Sequence, residues 1–82
     1  MPKDEPLTAY ILVSDVKLDT KEIIDILKKF DSVQEAVIVF GEFDLLLKTR
    51  AKNMDELKEF VFTLRKNLSA ETTTLVASKN LL

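Results

Sequence analysis

Four short runs rich in aliphatic and β-branched residues alternate with two stretches whose apolar residues recur at helical spacing. Their order predicts an α+β fold, ferredoxin-like βαββαβ. Two further observations agree with it. The chain's only glycine, Gly41, falls between the second and third runs, where a hairpin needs a positive φ. Each helical stretch also opens on a capping spacing. The 82 residues cannot divide their apolar side chains between two cores, so a single domain over 1–82 is expected, with 1–6 as a lead-in and 79–82 as a tail, frayed or docked on a neighbour. Hydrophobic residues at 46% and charged residues at 32% form a globular mixture rather than a disordered one.

The first strand is expected over 7–16, with Ala9, Ile11 and Val13 on one face and Tyr10, Leu12 and Val16 on the other. Asp19 with Glu22 three residues later starts a helix, and Ile23, Ile26, Leu27 and Phe30 form its apolar stripe, ending near Phe30. Residues 33–40 form the second strand, Gly41 and Glu42 a tight turn, and 43–49 the third. Asn53 and Glu56 repeat the cap spacing. Met54, Leu57, Val61, Leu64 and Leu68 then line one stripe of a second helix, widened by Phe60, with Phe62 facing outward. Residues 71–78 alternate as a final strand.

Right-handed crossovers put both helices on one face of an antiparallel sheet ordered 4-1-3-2. The first and third strands are then central, and they carry apolar residues on both sides, at 10–13 and 45–47. Two helices cover one face only. Five or six aliphatic side chains on the other would each forgo roughly 1.5–3 kcal/mol if left in water. A sheet-to-sheet homodimer is therefore expected.

The composition excludes much chemistry. Cysteine and histidine are both absent, which removes thiolate catalysis, Cys/His zinc sites and histidine acid–base work. Twelve basic against fourteen acidic residues give a charge of −2, with no excess to neutralise a phosphate backbone, so no direct nucleic-acid partner is expected. No run approaches the roughly 20 apolar residues of a membrane span, and the start lacks a secretory core; a soluble, cytoplasmic protein without a membrane partner is expected. The acids are scattered, the serines have no activating base, and one glycine makes no phosphate-cradling loop. No enzyme, cofactor or metal is expected. Lys17, Lys21, Lys28 and Lys29 are interleaved with Asp15, Glu22 and Asp25, as on a solvated face.

Two clusters remain: Gly41, Glu42, Phe43 and Asp44 at the hairpin, and Thr72, Thr73 and Thr74 in the last strand. Exposed turn amides suit a carboxylate, an adjacent acid suits an ammonium, and threonine hydroxyls serve either, a combination that fits an amino acid. The same residues also read as plain structure: a glycine turn, an Asx-type turn at Asp44 and β-branched filling of an edge strand. The residues alone leave both readings open.

Val37-Ile38-Val39-Phe40-Gly41-Glu42-Phe43-Asp44-Leu45-Leu46, then Met54-Asp55-Glu56-Leu57-Lys58-Glu59-Phe60-Val61 and Thr72-Thr73-Thr74, resemble the C-terminal effector domain of the Lrp/AsnC "feast or famine" transcription regulators over about residues 7–78. The family pattern is a V-x-G-x-[YF]-D-x-[LI] hairpin, an acidic cap, a helix and a T-x-T strand. The resemblance implies a dimeric α/β barrel, a homodimer joined into a ring (octamer or decamer), and an amino-acid effector between dimers. It implies ligand-binding roles for Gly41, Glu42, Phe43, Asp44, Thr72 and Thr74. Only 1–6 precede the first strand, so it also implies a stand-alone module without the helix-turn-helix, acting alone or by mixing with full-length Lrp/AsnC regulators. Phe40 replaces the family's common Thr, and Leu68-Ser69-Ala70 stands where Gly-Val is usual. Competing expectations are an ACT-like amino-acid sensor, which usually has a glycine that 13–17 lacks, a small dimeric-barrel enzyme, and an oligomerisation partner without a ligand.

Overall fold

The computed structural model describes residues 6–82, so of the expected lead-in only Pro6 falls within the described residues. The elements are β1 (Leu7–Ser14), α1 (Thr20–Leu27), β2 (Val33–Ile38), β3 (Leu45–Ala51), α2 (Met54–Leu68) and β4 (Glu71–Val76). All pairings are antiparallel and the sheet order is β2-β3-β1-β4, the expected topology.

Alternation sorts each central strand into two faces. Ala9, Ile11 and Val13 of β1 and Leu45, Leu47 and Ala51 of β3 are buried against Leu27 of α1 and Leu57, Phe60, Leu64 and Leu68 of α2. The Phe30 ring meets Phe60 edge-on, 5.2 Å between centroids, and joins the two helices. Thr49, fully buried on the same face, has a hydroxyl without a hydrogen-bond partner.

The opposite face carries Tyr10, Leu12 and Leu46, half-buried, beside the exposed Val37 and Leu75. These are neighbours: Leu12 pairs with Leu46, Val37 with Leu46, and Tyr10 with Leu75. Among the described residues no helix covers them.

Several boundaries differ from expectation, each for a local reason. β1 stops at Ser14 rather than at 16 because Asp15 turns left-handed, φ 61°. The regular part of α1 ends at Leu27. Lys29 and Phe30 then donate to carbonyls three residues back and tighten the last turn. β4 ends at Val76 instead of 78, just before its last bond to β1, from the Ala77 N–H to the Thr8 carbonyl. Both helix caps form. Asp19 and Glu22 make a reciprocal box, whereas at α2 Asn53 accepts from the Glu56 N–H and the Glu56 carboxylate reaches the Lys52 N–H.

Candidate functional site

The tight turn expected at Gly41 is a longer loop, because β2 ends at Ile38 and β3 begins at Leu45. Gly41 has φ +138°, and a Cβ there would meet nothing within 4 Å, so backbone conformation rather than space calls for glycine. Phe40 and Glu42 are exposed and Phe43 is half-buried.

Asp44 anchors this loop. Its N–H donates to the Val13 carbonyl at 2.8 Å, its carbonyl accepts from Val39 at 3.1 Å, and its carboxylate accepts the Val16 N–H at 3.2 Å. The third strand therefore leaves β2 early and ties itself to the end of β1. Asp44 is not the local Asx turn that sequence alone allowed: its partner lies across the fold.

The threonines sit on the other side of β1. Thr72 pairs with Val13 and Thr74 with Ile11, both on the helix-covered face and half-buried, while Thr73 pairs with Leu12 on the open face. Asp44 and Thr72 thus flank the same end of β1 from its two sides, about 10 Å apart at two strand spacings. The structure brings the hairpin and the T-x-T strand to one end of the sheet, but within one chain they do not close on a common point.

Sequence reasoning left Lys17 on a solvated face and missed Arg65 and Lys66 at this end. Lys17, Arg65 and Lys66 line a cavity of about 510 Å³ with Asp15, Ser69 and Glu71. Arg65 and Lys66 close the last turn of α2, where cations complement the helix dipole. Ser69 reverses the chain in left-handed conformation, φ 50°, and lays the start of β4 beside them; the Arg65 guanidinium lies 3.9 Å from the Glu71 carboxylate. A polar residue directly after the helical stripe was the available signal. Lys66 also lies over the Phe62 ring at 5.2 Å, and Phe62 faces outward as expected. Among the described residues, no group of three or more His, Cys, Asp or Glu could hold a metal, and no helix is long and apolar enough to cross a membrane.

Known proteins resemble this chain in sequence and fold. The chain is 35% identical over 75 residues to an uncharacterized HTH-type transcriptional regulator of Pyrococcus furiosus, covering 85% of this chain and 50% of that protein. It thus spans about half the length of that curated relative, and 38% of the similar regulators of Pyrococcus horikoshii and Pyrococcus abyssi. The solved structure of FFRP-DM1 is 30% identical, with 88% of this chain and 99% of that one covered and a TM-score of 0.77. A transcriptional regulator from Neisseria meningitidis, solved as an L-Met complex, has the same fold at 21% identity, with a TM-score of 0.81 over 93% of this chain and 52% of that one. The family model for the Lrp/AsnC ligand binding domain matches residues 8–82, so the chain belongs to the Lrp/AsnC ligand-binding domain family.

Proposed function

We propose that this domain is a regulatory module that binds an amino-acid effector between copies of itself and modulates transcription regulators of the Lrp/AsnC type. The observation that carries the reading is the Asp44 anchor. It holds the hairpin, with its positive-φ Gly41 and exposed Glu42, beyond the end of β1, while Thr72 is placed across the same strand. Two half-sites on opposite sides of one strand suit a ligand clasped at a junction between copies. In this reading Gly41, Glu42, Phe43 and Asp44 are supplied by one copy, and Thr72 and Thr74 by its neighbour. The L-methionine bound by the Neisseria meningitidis regulator and by a feast or famine regulatory protein from M. tuberculosis supports an amino acid as the class of ligand. Family membership among regulators supports a role other than catalysis.

The open sheet face supports a homodimer. Tyr10, Leu12, Val37, Leu46 and Leu75 form a contiguous apolar surface whose burial by a second copy would stabilise both. The dimer closes an α/β barrel, and dimers join into a ring. In this reading the module acts by itself or mixes with full-length regulators, which co-purification with such a regulator tests.

Thermal shift against the twenty amino acids tests the ligand. An effector at a hundred times its Kd adds about 2.7 kcal/mol of stability. Silence from all twenty sinks the reading.

A further inference from the structure

A second concave feature lies away from the hairpin, between α2 and the outer edge of β4. Its volume is about 380 Å³, within the range of small-molecule sites. Met54, Val61 and Val76 contribute apolar surface, Lys58 and Arg65 contribute charge, and Thr74 contributes a hydroxyl. The helix residues recur at three- and four-residue spacing, so one stripe of α2 faces the strand.

Two properties of this groove select its occupant. The first is charge: its lining contains two cations and no carboxylate. Lys58 and Arg65 are seven residues apart, about 10 Å along the helix, so one stands near each end of the apolar surface. Among the described residues Arg65 is held only by Glu71 at 3.9 Å, with both side chains more than half exposed, and can turn towards a ligand. The second property is the strand edge. Among the described residues β4 pairs with β1 alone, and Ala77 donates its N–H to Thr8. With a period of two, Leu75 and Thr73 also point their amides at β1, which leaves those of Thr74 and Val76 directed outward along the groove. Carbonyls of the same edge can accept from an ammonium, but the two cations oppose one.

We propose that the groove between α2 and the free edge of β4 binds a small aliphatic carboxylate that carries no α-ammonium. Its chain lies on Met54, Val61 and Val76. Its carboxylate is taken by Arg65 or Lys58 together with the Thr74 hydroxyl and the edge amides. The proposal goes beyond the amino-acid reading: it concerns another surface and other charges, sharing Thr74 alone.

Titration of the isotopically labelled chain with 4-methylpentanoate, 4-methylpentanamide and L-leucine, read by amide NMR, tests it. The expected result is saturable shifts at Thr74 and Val76 with the acid, and at least tenfold weaker binding of both the amide and leucine. Lys58→Gln combined with Arg65→Gln should weaken the acid at least tenfold, Arg65→Lys should recover most of that loss, and Lys28→Gln on α1 should change nothing. If the double variant fails to fold, the comparison of acid with amide on the unaltered chain still decides. Equal binding of acid and amide, or leucine as tight as the acid when both are read at Val76, which the hairpin reading does not use, overturns the proposal, as does no shift at Thr74 and Val76 at millimolar ligand. Shifts confined to residues 39–44 overturn it while leaving the hairpin reading in place.

Discussion

Asp44 and Val16, twenty-eight positions apart in sequence, are joined by a hydrogen bond from the Val16 N–H to the Asp44 carboxylate at 3.2 Å. It fastens the β2–β3 loop to the connection between β1 and α1, beside a second bond from the Asp44 N–H to Val13 at 2.8 Å. The loop that carries Gly41 is thereby positioned by the first strand as well as by its own Val39–Asp44 bond.

Asp44→Ala should lower stability by about 1 kcal/mol in urea denaturation, the usual contribution of one hydrogen bond at a solvated site. It should also weaken any amino-acid response. Asp44→Asn keeps an acceptor for Val16 and should recover the stability but less of the binding, since the charge is gone. Equal loss of stability in both variants would count against the Val16 bond as the cause.

Ser69 ends α2 in the left-handed region, where a side chain costs about 1–2 kcal/mol. Ser69→Gly should therefore raise stability by about 1 kcal/mol, and Ser69→Val should lower it by more. Thermal melting of the two variants checks the opposite signs.

Thr49 is buried with its hydroxyl unpaired. Valine has nearly the same shape and no polar group, so Thr49→Val should raise stability by about 1 kcal/mol. A clear destabilisation on chemical denaturation would reveal a partner for that hydroxyl in solution.

Phe60 and Phe62 are close in sequence and opposite in consequence. Phe60 is 9% exposed and packed on Phe30, whereas Phe62 is 62% exposed and touched by Lys66. Phe60→Ala should cost about 3–5 kcal/mol, enough to unfold much of a small domain, while Phe62→Ala should cost about 0.5 kcal/mol. Circular dichroism melts separate the two.

Leu46→Asp places a charge at the centre of the open sheet face. If that face is a dimer interface, sedimentation should show a shift to monomer, and the melting temperature should lose its dependence on protein concentration. An unchanged oligomer would mean that assembly uses another surface.

The order of elements, the two cap spacings, the two-faced central strands and the outward Phe62 were all legible in the chain, because each rests on local periodicity or on contacts three to four residues apart. Gly41's positive φ was legible for the same reason, since no other residue nearby tolerates it. Tertiary structure alone decided where the strands stop and what the polar side chains do. The hairpin opened from a tight turn into a loop because Asp44 found partners on β1, and no spacing in a sequence announces a bond across 28 residues. Thr74 lines a groove beside α2, and Arg65 and Lys66 gather at the end of β4, because chain reversal at Ser69 brings α2 and β4 side by side. Periodicity tells which face a residue takes; only packing tells what stands opposite that face, since the opposing group is chosen by the path of the whole chain.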